Sequence, residues 1–143
     1  MQLVVDANIL VAELLRKRGR ALIADTRLEL FIAEKAMEEA LHELKKRVDY
    51  IAKKSDTSEK QLEQFLDLAI ETANTNFYVV KTEQYRVLKK EALLRIPQDA
   101  DDWHTVALAL MLNADIWTQD KDFLGCGVAT WITETLRLKL GAF

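Results

Sequence analysis

The chain has 143 residues and a net charge of -3; half of it is apolar and 30% is charged, which fits one globular domain over 1–143 and excludes a disordered segment. Its single cysteine excludes an internal disulfide and a cysteine-built zinc cage, and suits a reducing cytoplasm. No apolar run approaches the roughly 20 residues of a membrane span, nor does the N-terminus read as a signal peptide. The acidic balance argues against a dedicated nucleic-acid binder, unless the acids are gathered to hold cations.

The chain opens on Leu3-Val4-Val5 running into Asp6. Three apolar residues without alternation suit a strand covered on both faces, at the centre of a parallel sheet. An acid at its carboxyl end stands where ligands bind in open α/β sheets. Apolar residues at Ile9, Leu10, Ala12, Leu14 and Leu15 predict a first helix, closed by the basic run Arg16-Lys17-Arg18-Gly19-Arg20, with Gly19 as its stop. A short helix over 21–25 and a strand over 28–32 follow. A long helix over 33–54 carries its apolar stripe on Ala33, Met37, Ala40, Leu41, Leu44 and Val48. Asp56-Thr57-Ser58 breaks the pattern and caps a helix over 59–74. The stretch from about Lys53 to Asn74 reads as a helical hairpin forming one wall of a groove.

A third strand is expected over 77–80 and a helix over 83–94, stopped by Pro97. Gln98 to His104 then opens a helix reaching Leu112. Ile116-Trp117-Thr118 reads as a fourth strand, a fifth lies over 128–130, and a last helix covers 133–140. Strands alternating with helices imply βαβ units. The expected fold class is α/β: a three-layer α/β/α sandwich with a central parallel sheet of four to five strands.

The acids fall at element ends. Asp6 ends the first strand, Asp120 follows the fourth, and Asp99, Asp101 and Asp102 crowd the helix before it. If the first and fourth strands are neighbours, these carboxylates meet at one end of the sheet. There they repel unless they share protons or hold a cation. Hard oxygen ligands suit Mg²⁺ or Mn²⁺, and such a site hydrolyses phosphodiesters. Each acid also has a plain reading. Asp6 caps a helix, Asp99 and Asp102 form a capping box, Asp101 is first-turn charge, and Asp120 and Asp122 are turn residues. Asn8 either orients Asp6 or caps the helix. His42 and His104 lack a metal-like partner at helical spacing and read as structural. Cys126 reads as inert, and Trp103, Trp117 and Trp131 read as packing.

Val-Val-Asp6-Ala-Asn8-Ile-Leu, Asp99-Ala-Asp-Asp102-Trp and Ile-Trp-Thr118-Gln-Asp120-Lys-Asp-Phe together resemble the PIN domain, including toxin ribonucleases of the VapC type. The resemblance spans nearly the whole chain. It implies a metal-dependent endoribonuclease that cleaves single-stranded RNA with Mg²⁺ or Mn²⁺, the toxin of a toxin–antitoxin pair. A small antitoxin protein and a homodimer are the partners it implies. Carried over, the acids are Asp6, Glu39, Asp102 and Asp120, supported by Asn8, Asp99 and Thr118. Glu38 and Glu43 compete with Glu39, because the family's usual proline is replaced by Ala33 and a helical wheel does not favour Glu39. Arg16, Lys17, Arg18 and Arg20 are either RNA-backbone contacts or a solvated helix end. The alternative is a degenerate PIN-like module that binds RNA or protein without cutting. A haloacid-type phosphatase wants a second Asp where Asn8 stands, and a receiver wants a Lys near the end of its last strand; neither pattern is present.

Overall fold

Leu3, Val4 and Val5 are fully buried. A strand with no polar side needs cover on both faces, and β1 (Gln2–Val5) finds it at the centre of a parallel sheet. The computed structural model describes residues 1–141. Its other strands are β2 (Glu29–Ala33), β3 (Phe77–Val80), β4 (Asp115–Trp117) and β5 (Thr130–Trp131). They are ordered β3-β2-β1-β4-β5 and pair in parallel throughout. The chain builds outward from β1 to β3, then returns to the other side of β1 for β4. That reversal places a topological switch point between β1 and β4, where the strand ends leave a crevice.

Helices α1 (Ala7–Leu14), α2 (Lys17–Ile23), α3 (Glu34–Lys54) and α4 (Glu59–Asn76) pack together. Helices α5 (Thr82–Tyr85) and α6 (Lys89–Arg95) pack on α7 (Trp103–Leu112), which lies against β1 and β2. The last helix, α8 (Thr133–Leu140), meets α1 through Thr133. This is the expected three-layer arrangement, with five strands. Among the described residues no helix is long and apolar enough to cross a membrane.

The hairpin expected over 53–74 does not form within that stretch, which holds the end of α3, a turn and the single helix α4; α4 packs instead against α3. Ser58 and Gln61 complete a capping box: the Gln61 amide donates to Ser58 Oγ and the Ser58 amide to Gln61 Oε1, both at 3.2 Å. Three further expectations needed correction. Gly19 does not stop the first helix; it lies buried inside α2, which therefore starts earlier than expected. A Cβ at Gly19 would collide with the Glu13 carbonyl oxygen, so this glycine permits close approach of the two short helices. The helix expected over 83–94 is interrupted by a 3-10 turn, Arg86–Leu88. The break follows Tyr85, whose fully buried ring is pinned by the His104 ring, Oη to Nδ1 2.8 Å. The helix expected from Gln98 begins as a 3-10 turn, Ala100–Asp102, because Asp99 Oδ1 accepts the Asp101 amide at 3.0 Å.

Candidate active site

Register delivers the first two acids. Val5 pairs with Trp117, and the Asp6 amide donates to the Trp117 carbonyl at 3.1 Å. Asp6 and Thr118 therefore leave β1 and β4 side by side. Thr118 Oγ1 donates to Asp6 Oδ2 at 3.0 Å and accepts the Asp120 amide at 3.0 Å. One buried hydroxyl thus fixes both acids. Asp120 Oδ1 in turn accepts the Asp122 amide at 2.9 Å, which turns the chain back at the strand end.

Asp6 stands at the N-cap of α1, but its carboxylate makes no capping bond there. It is only 6% exposed. Burial pushes its carboxyl up to about 6; the Thr118 bond opposes that rise and the Asp120 charge adds to it. Asp102, half-buried at the N-cap of α7, is pushed up to about 7. Burial is again the first cause, followed by the charges of Asp99, Asp6, Asp120 and Asp122. Asp102 Oδ2 is buried and has no hydrogen-bond partner.

Carboxylate oxygens of Asp99, Asp102 and Asp122 lie within 4.8 Å of one another. Asp99 thus does two things, turning the backbone and joining the acids; the side-chain half of a capping box with Asp102 does not form. Asp122, read above as a turn residue, belongs to the acidic group. Sequence offered only an Asp-x-Asp spacing for it, which ordinary turns share. Glu39 is exposed on α3. Its carboxyl is raised by partial burial first, then lowered by Lys35 and raised by Asp101 and Asp99. It shares a groove with Asn8, His42, Glu43 and Arg47. Glu43 is held by Arg47 at 3.4 Å. The geometry therefore groups Asp99, Asp102 and Asp122, with Asp6 and Asp120 close enough for their charges to act on Asp102, while Glu39 and Asn8 line a neighbouring groove.

The remaining candidates are structural in their contacts. His104 bonds Tyr85 and stacks on Trp103 at 3.9 Å. Cys126 is buried. Trp117 is fully buried, and its Nε1 donates to Thr133 Oγ1 at 3.1 Å. Arg20 donates to the Leu14 carbonyl at 2.8 Å and lies over the Phe65 ring, so it leaves the basic run. A second buried acid escaped sequence reading. Glu13, 1% exposed, accepts from Thr133 Oγ1 at 3.0 Å, with Arg137 3.8 Å from its other oxygen.

The acidic group fits a divalent cation by its chemistry. All its donors are hard oxygens. Two of its carboxyls are held near neutrality by burial and like charge, and a buried oxygen of Asp102 has no protein donor to satisfy it.

The profile of the PIN domain matches residues 4–141. Among solved structures, the fold is similar to that of PAE2754 from Pyrobaculum aerophilum, with a TM-score of 0.66 and 16% identity over 100% of this chain and 97% of that one. It is also similar to a chain of a toxin–antitoxin complex from Klebsiella pneumoniae, with a TM-score of 0.59 and 17% identity over 86% of this chain and 91% of that one. No curated protein sequence matches. With the profile covering nearly its whole length, the chain belongs to the PIN domain family.

Proposed function

We propose that this chain, as one domain, is a metal-dependent endoribonuclease cleaving single-stranded RNA, and that it is the toxin of a toxin–antitoxin pair. The observation that carries the reading is the Thr118 bridge: one hydroxyl fixes Asp6 and orders the Asp120 backbone at the switch point. Asp102 feels the charges of both acids and carries a buried oxygen without a partner. Family membership supports a nuclease, and the likeness to a chain from a toxin–antitoxin complex supports a small protein inhibitor. A homodimer and a cytoplasmic setting belong to the same reading.

Asp6, Asp102 and Asp120 would hold Mg²⁺ or Mn²⁺, with Asp99 and Asp122 beside them and Glu39 closing the group from α3. The bound ion supplies Lewis-acid chemistry, lowering the pKa of water and offsetting charge on phosphate oxygens. The chain's part is positional. Thr118 holds the Asp6 carboxylate in one orientation and anchors the Asp120 backbone. Burial keeps the Asp6 and Asp102 carboxyls above the usual range, so metal binding displaces protons from them near neutrality.

The test is cleavage of a mixed single-stranded and structured RNA pool with Mg²⁺, Mn²⁺ or EDTA. Asp6→Asn serves as the contamination control. Metal-dependent cleavage that the substitution removes supports the reading. Folded, partner-free protein that binds RNA and cuts it under no metal replaces it with the RNA-binding module.

A further inference from the structure

The groove between the α1–α2 turn and α8 has the opposite character to the acid site. Arg16, Lys17 and Arg18 form one wall; Thr133, Arg137 and Leu138 form the other, and the groove encloses about 720 Å³. Glu134 is the acid in its lining. Arg16, Lys17 and Arg18 are exposed, and among the described residues none of the three makes an ion pair. Three adjacent cations repel one another and gain when an anion faces them.

Arg137 is set differently. Its side chain is mostly covered, and its guanidinium stands 3.8 Å from Glu13 Oε2, a buried oxygen that accepts no hydrogen bond. The carboxylate holds the charge in place without consuming its N–H donors. The floor of the groove is tied to the acid site. Trp117 Nε1 donates to Thr133 Oγ1, which donates to Glu13 Oε1, and Trp117 is followed by Thr118, the residue that fixes Asp6. Glu13 is seven residues past Asp6, about 10 Å of helix rise.

We propose that this groove holds the phosphate backbone of the RNA strand on one side of the scissile position, with Arg16, Lys17, Arg18 and Arg137 as the phosphate contacts. The proposal rests on the ribonuclease reading and extends it from the reacting phosphate to its neighbours. An acidic site in a chain of net charge -3 repels RNA; a basic groove within a few nucleotides supplies the attraction that brings the strand there. That proximity favours substrate RNA over an acidic protein segment.

The experiment measures fluorescence anisotropy of a labelled single-stranded RNA on the full chain in EDTA, across a salt series. It compares the wild type with Arg137→Gln and with a triple variant, Arg16→Ser, Lys17→Ser and Arg18→Ser, which alters exposed side chains only. The triple variant should bind roughly tenfold more weakly at low salt, with the slope of log affinity against log salt shallower by about two, near 0.7 for each phosphate no longer neutralised. Arg137→Gln should flatten it by about 0.7. An unchanged slope and affinity in the triple variant overturns the groove, whether or not the protein cuts RNA. Variant-sensitive capture of polyglutamate, with RNA binding unchanged, overturns it in favour of an acidic protein partner. Variant-sensitive RNA binding in a wild type that shows no metal-dependent cleavage supports the groove and removes only the nuclease reading.

Discussion

Two buried carboxylates, Asp6 and Glu13, stand seven residues apart at the start and near the end of α1, and their neighbours differ in sign. Glu13 has the Thr133 hydroxyl on one oxygen and the Arg137 guanidinium near the other. Gly19 lies directly against it. Its charge is compensated, and the compensation ties α8 to α1. Asp6 has the Thr118 hydroxyl on one oxygen and the Ala7 and Asn8 amides near it, but the charge beside it is another acid, Asp120, and no cation among the described residues. Its carboxyl is pushed to about 6 by burial first, with Asp120 adding to the rise. Both residues are almost wholly covered, so burial alone does not separate a structural acid from a functional one. What separates them is whether the protein itself supplies the counter-charge.

The largest expected effect follows from removing the compensated acid. Glu13→Ala leaves Arg137 and the Thr133 hydroxyl facing a hole. Breaking a buried charge pair from one side costs about 3–5 kcal/mol. Urea denaturation at neutral pH should show that loss as a lower midpoint. Asp6→Asn, measured in EDTA, should show no loss or a gain, since it removes a buried charge with no cation nearby. Equal losses for the two would break the contrast.

A smaller effect sharpens it from the hydroxyl side. Thr118→Val deletes the donor to Asp6 and the acceptor of the Asp120 amide while keeping much of the shape. Supporting groups of this kind are typically worth about 10–100-fold in metal affinity or activity. Titration calorimetry with Mn²⁺ should read the weakening directly. Thr133→Val, its counterpart at Glu13, should appear in stability instead, at about 1–3 kcal/mol, because it leaves the Glu13 oxygen and the Trp117 indole without their partner. A Thr118→Val protein with undiminished Mn²⁺ affinity would remove Thr118 from the site.

The contrast also explains what sequence could and could not show. Asp6 and Asp120 were legible because the same phrase, an apolar strand ending in an acid, occurs twice, and parallel pairing of β1 with β4 brings the two ends together. Asp102 was singled out from Asp99 and Asp101 only by the family resemblance; its place before the fourth strand marked all three alike. Glu13 was not, because its partners lie about 120 residues along the chain and nothing in an amphipathic helix tells a satisfied inward acid from one turned to solvent. Gly19 misled for the same reason: its need for glycine comes from a contact with Glu13, not from a helix end. Asp122 was hidden behind a common turn spacing, and its place in the acidic group emerges only when Asp99 and Asp102 are placed beside it. Local pattern revealed the elements and the strand-end acids; long-range charge compensation had to be seen in three dimensions.

The smallest expected effect is in pH, and it has a definite sign. The carboxyls of Asp6 and Asp102 sit at about 6 and about 7 in the fold, above the ordinary aspartate value of 3.8 that the unfolded chain restores. Between about pH 4 and 7 the metal-free fold therefore binds more protons than the unfolded chain, and these groups withdraw stability as pH rises. His104, whose imidazole is pushed down chiefly by burial, contributes a slope of the opposite sign as pH falls. The quantity to measure is thus the Tm of the wild type minus that of Asp6→Asn, in EDTA, from pH 5 to pH 8. It should fall by a few degrees, the scale of about 1–2 kcal/mol in a chain of this size. Saturating Mg²⁺ should reverse the trend, because the cation binds the deprotonated acids and stabilises most where protons compete least. A metal-free difference that rises with pH would mean that Asp6 has a cationic partner of its own, and Asp6 would then be a second Glu13.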